Sequence, residues 1–401
     1  MKTRFTILLL ILSLLCCGCA RRTESEERTL KIISWGGISA DKADTMYFLA
    51  KECGFNTHLG LYSTQKNALL SMDAAQRAGI GIIINFPQLK DSTESAVALI
   101  KDHPALLAYH IKDEPVSEDY PWLKSLSEKI ASLDPSHPCY INLLPNWSWG
   151  VEEYSEIIED FASEFNIPTY SFDNYPIVEV DGVVHVRSDW YRNLEEFSAM
   201  ARGHDKPFWA FALAKSHGII EPEVAFYPEP TLGHLRLQVY SNLLYGAQAI
   251  QYFNFTGIVD PVTCQKKPAF DLIRQVNSEV RAYSSVFAGC TVLGVWHMGD
   301  SIPSGTTCLS SMPHDSVKTL SVSHVPGCDE NLADKSSGAV VSMIENAGDT
   351  YLAVQNRSCL SPAALNITFA SQVERLTIEG LVRFDGRPLS LDPGDVAIFK
   401  L

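Results

Sequence analysis

Leu107-Ala108-Tyr109-His110-Ile111-Lys112-Asp113-Glu114-Pro115 decides how the rest of the chain is read. The apolar run predicts a buried strand, and it stops at two adjacent carboxylates and a proline. Two charges side by side at the C-terminal end of a buried strand are costly to place unless they do chemistry. The plain alternative is a loop start, with Asp113 or Glu114 solvated or capping the next helix. The neighbouring segments choose between the two.

From Leu30 to about Gly289, short β-rich runs alternate with longer runs of helical periodicity. The strands are expected at Leu30–Trp35, Asn56–Leu61, Ile80–Phe86, Leu106–Ile111, Cys139–Leu144, Thr169–Phe172, Pro207–Leu213 and Ala249–Phe255. Helices are expected between them and at Pro268–Ser284. Eight such units of alternating type predict a parallel (β/α)8 TIM barrel, whose usual length is about 250 residues. A doubly wound sheet is the rival. Its glycine fingerprint is missing, because Trp35-Gly36-Gly37 after the first strand is not G-x-G-x-x-G. In a barrel, the end of the fourth strand lies on the face where active sites are built.

The character changes near Cys290. Runs such as Thr291–Met298, Ala339–Glu345 and Thr350–Asn356 are punctuated by turns such as Asn346-Ala347-Gly348-Asp349. Six or seven short strands predict an all-β sandwich with no chemistry of its own. The expected organisation is therefore a tether at 1–28, a barrel at 29–289 and a sandwich at 290–401.

The first residues, Met1-Lys2-Thr3-Arg4, precede an apolar run from Phe5 to Leu15 and then Cys16-Cys17-Gly18-Cys19. The run is too short to span a bilayer and reads as a secretory signal. The segment resembles the lipobox of bacterial lipoproteins, which implies lipidation at Cys19 and a lipid-anchored place in the bacterial cell envelope. Cys16 stands where a lipobox usually carries leucine. The seven cysteines beyond Cys19 are scattered and odd in number, so neither a zinc site nor a full disulfide framework is expected, while the sequence leaves a Cys308–Cys328 bridge open. A formal net charge of −15 disfavours nucleic acid as a partner. Acidic balance with 7 Trp and 15 Tyr suits a neutral, hydroxyl-rich ligand better.

Asp113-Glu114-Pro115, together with Pro230–Tyr240 and Tyr245-Gly246-Ala247-Gln248-Ala249-Ile250-Gln251-Tyr252-Phe253-Asn254-Phe255, carries a family resemblance. The chain resembles TIM-barrel glycoside hydrolases of the clan that includes the GH42 β-galactosidases. There the fourth strand ends Asn-Glu-Pro, and its glutamate is the general acid/base. The resemblance implies that role for Glu114, with Asp113 holding a sugar hydroxyl. It also implies an oligo- or polysaccharide substrate and no cofactor. The clan's second carboxylate closes the seventh strand, but Lys206-Pro207-Phe208-Trp209-Ala210-Phe211-Ala212-Leu213-Ala214-Lys215 offers alanines there. Asp173, at the end of the sixth strand, is the preferred substitute, because a strand end is a rigid platform. Glu221, Glu223 and Glu229 are the others. The plain alternative for Asp173 is an Asx turn before Tyr175-Pro176. The Asp-Glu pair with a tyrosine at the sixth strand is also similar to substrate-assisted hexosaminidases and chitinases. A barrel that binds carbohydrate and no longer hydrolyses it is the competing class.

Residues placed at or just past strand ends are expected to contact the sugar. They are the platforms Trp35, Tyr62, Trp147 and Tyr175, and the hydrogen-bonding groups Asn85, His110, Asn142, Asn174, His217 and Asn254. Phe86, Phe255 and Gln251 are further candidates. No HExxH, P-loop or G-x-S-x-G motif occurs, and no metal is expected.

Overall fold

The computed structural model describes residues 29–218, 225–324 and 338–401. Cys19 and the tether, Glu221, Glu223 and Cys328 lie outside them. Eight parallel strands form the barrel: β1 (Lys31–Trp35), β2 (Thr57–Leu61), β3 (Gly81–Asn85), β4 (Leu106–Asp113), β5 (Cys139–Asn142), β6 (Tyr170–Phe172), β7 (Phe208–Leu213) and β8 (Ala249–Phe253). Their order is β5-β4-β3-β2-β1-β8-β7-β6. A parallel bridge between Leu143 and Phe172 closes the ring. The crossover helices are α1 (Ala43–Cys53), α2 (Gln65–Ala78), α3 (Thr93–Ile100), α4 (Tyr120–Leu133), α5 (Tyr154–Glu164), α6 (Trp190–Gly203), α7 (Leu232–Leu244) and α8 (Ala269–Ala282).

The strands are apolar on both faces because both are covered. Ile33, Ile83, Tyr140, Trp209 and Phe211 fill the barrel interior. Their sequence neighbours Ile32, Ile82, Ile84, Ile141 and Ala210 pack outward under the helices. Local signals set the helix ends. The Thr64 hydroxyl accepts from the Asn67 N–H at the start of α2, and Gly79 takes a left-handed φ of 65° at its end.

Two antiparallel sheets follow the barrel. One has six strands, the other three: Val317–His324, Ala363–Phe369 and Leu389–Leu391. The strand Ala339–Asn346 shows how they stack. Val341 and Met343 face the small sheet, while Val340 and Ile344 join the barrel core. The sandwich is therefore fixed to the barrel by one whole face of its larger sheet.

A buried ion pair stands beside that junction. Arg236 of α7 donates to Glu279 of α8 at 2.6 and 3.1 Å, and Tyr240 adds a 2.8 Å hydrogen bond. The Gln355 amide ties the Arg236 and Leu237 carbonyls to that of Gly394. Both charged side chains are about nine-tenths buried. Glu279→Ala would remove the carboxylate hydrogen-bonded to Arg236 and leave it Asp392, at 3.7 Å and largely exposed, and the nearby Asp395. We expect that variant to lose about 3–5 kcal/mol in urea unfolding; a loss below about 1 kcal/mol would show that the pair is dispensable.

Several elements differ from the expected pattern. The sandwich gains Gly380–Arg383 and Leu389–Leu391. A small antiparallel sheet joins Ile177–Val180, Val183–Val186, His217–Gly218 and Ala225–Tyr227 beside the mouth of the barrel. Its hairpin turns at Asp181-Gly182, with φ of 50° and 76°. That left-handed pair is the backbone of a two-residue hairpin loop, and Asp-Gly is its sequence signal. Among the described residues, Cys53, Cys139, Cys264, Cys290, Cys308 and Cys359 are free thiols.

Candidate active site

A break in strand alternation builds the site. Across β4 and β5, His110 pairs with Tyr140 and Asp113 with Asn142, so three steps on β4 oppose two on β5. Ile111 is the extra residue of this bulge, and its side chain packs outward in the core. Unbroken alternation from Ala108 and His110 would have aimed Lys112 into the barrel. The bulge aims Asp113 there instead, which is a recognised use of such irregularities near functional sites. The next residue, Glu114, takes a left-handed φ of 51° and anchors its N–H on the Asn142 carbonyl at 2.8 Å. A glutamate pays strain to hold that backbone, and such residues cluster at functional sites.

Asn142 sits at the centre of the cluster. Its amide donates to Asp173 at 2.8 Å and to Asp113 at 3.2 Å. The two carboxyl oxygens are thus no farther apart than these two bonds laid end to end. The amide's orientation is fixed from below. Ser171 donates to the Asn142 oxygen at 2.8 Å, and Gln251 both donates to Ser171 and accepts from Tyr140, each at 2.8 Å. A connected polar layer inside the barrel therefore aims one N–H₂ group at two acids.

The acids share one cleft with aromatic walls. It has a volume of about 330 Å³, and Trp35, Trp147, Tyr175, Phe211, Tyr227 and Phe253 line it, with His217 at one side. Tyr175 meets Tyr227 edge-on at 5.8 Å and Phe211 at 6.3 Å. Trp147 is 37% exposed and is the platform most open to a ligand. Burial and then the neighbouring Glu114 push the Asp113 carboxyl up to about 6, against the pull of Asn142 and Lys112. Burial first, then Glu114 and Asp113, drive Asp173 well above the usual carboxylate range. Burial raises Glu114 as well, and Lys112 opposes it. Three acids with raised proton affinity in one cleft can hold and pass protons near neutral pH.

Of the residues expected to contact a ligand, the structure brings Trp35, Asn142, Trp147, Tyr175 and His217 to the cleft with Asp113, Glu114 and Asp173. Five others point elsewhere. Tyr62 turns away from the barrel axis and bonds Tyr47 and Ser71 among the helices. The Asn85 amide donates to the His110 carbonyl at 2.7 Å, and both residues border a separate 220 Å³ cavity. The His110 ring is buried beneath Trp35, 5.5 Å away, with both nitrogens unpartnered. Asn174 is buried and donates to Asn193 at 2.9 Å, while the Asn254 oxygen caps the turn at Thr256. Phe86 and Phe255 pack in the core, and Glu229 is exposed away from the cleft.

The expected gap on the seventh strand has a different form from the one read in the sequence. The alanines of β7 face the helices, whereas Trp209, Phe211 and Leu213 face inward. The period-2 pattern of β7 carried this signal. Phe253 shares such a pattern with Ala249 and Gln251 on β8, whereas Tyr227 had none, since it reaches the cleft only through the small sheet. A larger cavity of about 860 Å³ opens at the opposite end of the barrel, where Asp205 is the one lining carboxylate among the described residues. It lacks the paired acids of the upper cleft.

No family model and no curated protein matches the chain. Solved structures of similar fold include a Thermobacillus composti GH10 xylanase, with 10% identity, a TM-score of 0.42, and coverage of 62% of this chain and 97% of that one. A GH128 endo-β-1,3-glucanase from Pseudomonas viridiflava has 13% identity, a TM-score of 0.40, and coverage of 61% and 96%. Orotidine 5'-monophosphate decarboxylase from Methanocaldococcus jannaschii has 6% identity, a TM-score of 0.38, and coverage of 62% and 97%. These likenesses span different chemistries and describe the barrel alone.

Proposed function

We propose that the protein is a glycoside hydrolase acting on O-glycosidic bonds of an oligo- or polysaccharide, with Glu114 as general acid/base. The convergence of Asp113, Glu114 and Asp173 in one aromatic-walled cleft supports this reading most. Glycoside hydrolysis needs one carboxyl group that keeps its proton and one that carries charge. Glu114 gives its proton to the glycosidic oxygen as the bond to the anomeric carbon breaks. The Asp113–Asp173 pair, bridged by Asn142, faces the positive charge that develops there. Repulsion and burial hold the pair to about one negative charge, which attacks the anomeric carbon or activates water. The aromatic walls suit the apolar C–H faces of sugar rings.

The pH–rate profile tests these assignments. In this reading the first ionisation of the Asp113–Asp173 pair sets the acid limb of kcat/KM, and Glu114, whose proton must outlast that ionisation, sets the alkaline limb. We expect a bell with its optimum on the acid side of neutrality, and Asp113→Asn should move the acid limb. An acid limb unchanged in that variant would reject the role of Asp113.

The same reading makes the protein a lipoprotein of the bacterial cell envelope, anchored through Cys19. Incorporation of labelled palmitate that disappears in Cys19→Ala supports the anchor; equal labelling of both proteins rejects it.

A further inference from the structure

Beside Trp147 and Tyr227, two residues of the cleft wall, stands a cation that the hydrolytic chemistry does not use. Arg187 follows the strand Val183–Val186 of the small sheet and is pinned by its N–H on the Pro176 carbonyl at 2.7 Å. Its guanidinium lies 4.8 Å from the ring of Trp147. It also stands beside the Tyr227 hydroxyl, whose acidity it raises against the effect of burial. Both aromatic residues line the cleft.

The Arg187 guanidinium meets the Trp147 ring and hydrogen-bonds the Tyr227 hydroxyl. Among the described residues Arg77, Arg192, Arg236, Arg274 and Arg387 each pair with a carboxylate, and Arg187 does not. Its Nε is buried with no hydrogen-bond partner. A buried guanidinium N–H without an acceptor is costly, and a bidentate oxyanion is the group whose geometry satisfies it. Packing against an aromatic face removes rotamer freedom in advance, so less is lost when the anion binds. Tyr227 senses Arg187 and, more weakly, Asp173. Trp147 and Tyr227, which adjoin the cation, line the same cleft as the candidate catalytic acids.

We propose that the cleft takes an acidic glycan, with a carboxylate or sulfate group on Arg187 and the sugar ring carrying it near Trp147. The proposal rests on the glycosidase reading for its ligand class and adds the charge of the sugar. A net charge of −15 repels an anion at long range, but screening confines that repulsion to about 8 Å at physiological salt. The arginine at contact distance prevails. The shared chemistry is the oxyanion, and the source is a uronic acid or a sulfated sugar.

Titration calorimetry and product analysis on the full chain test this with two acidic sets and one neutral set. Polygalacturonate and alginate represent uronates, heparin and chondroitin sulfate represent sulfated chains, and galactan, xylan and mannan are the neutral controls. At least one acidic polymer should bind more tightly than every neutral one, and its affinity should fall with added salt. Arg187→Met should weaken that binding about tenfold or more, with unchanged melting temperature and unchanged weak binding of neutral chains. Arg187→Lys should recover part of it. Neutral chains binding as tightly as acidic ones, no acidic polymer binding, or an Arg187→Met variant of unaltered selectivity would each overturn the proposal. Hydrolysis of neutral glycans alone refutes this inference and leaves the glycosidase reading standing. Salt-sensitive, Arg187-dependent binding without cleavage does the reverse.

Discussion

Glu114→Gln is expected to lower kcat/KM on an unactivated glycan by about 10²–10⁴-fold, the effect of losing a positioned proton donor. The amide keeps the size of the side chain, and the backbone N–H still reaches the Asn142 carbonyl, so the fold should be undisturbed. The alkaline limb of the pH profile should vanish with the activity, because the group that titrates there is gone. Substrates with good leaving groups need little protonation, so their loss should be much smaller. A uniform loss across leaving groups would point to misfolding or poor binding instead, and unchanged turnover would remove Glu114 from the mechanism.

Asp173→Asn should separate activity from stability. The carboxyl lies in the buried floor of the cleft, and its proton affinity is well above that of an unfolded aspartate. Its protonation favours folding fully below the unfolded value of about 3.9, and this contribution is lost as the pH rises towards and through the higher folded value. Asparagine is neutral at every pH and still accepts the Asn142 hydrogen bond. The melting temperature of the variant should match that of the parent near pH 4 and exceed it by roughly 2 °C or more at pH 8. Activity should fall by about 10²-fold or more, because the charge shared by the pair can then no longer pass to Asp173 during the reaction. Equal melting temperatures at pH 8 would show that Asp173 bears no burial penalty. Undiminished activity would assign the second carboxylate elsewhere.

The barrel was legible because eight apolar runs alternate with eight helical ones, and most of the expected spans fall within a few residues of those observed. Side-chain direction was less legible. Tyr62 and Asn85 stand next to or within strand ends as expected, yet one turns outward and the other bonds a neighbouring carbonyl. The β4 bulge is invisible in a sequence, since Ile111 fits a regular strand as well as an irregular one; it nevertheless decides whether Lys112 or Asp113 enters the site. Tyr227 and Arg187 come from the small sheet, whose pairing between distant segments leaves no local trace beyond Asp181-Gly182. The carboxylates were found because charge at the end of an apolar strand is conspicuous. Their amide bridge depends on contacts across three strands.

The central claim is that this cleft breaks glycosidic bonds, and new reducing ends measure that directly. The purified wild-type protein should release reducing ends from at least one member of a polysaccharide panel, at a rate proportional to enzyme and abolished together with Glu114. Saturable binding of a glycan with no new reducing ends over prolonged incubation would contradict the account and make the protein a barrel that binds carbohydrate without cleaving it.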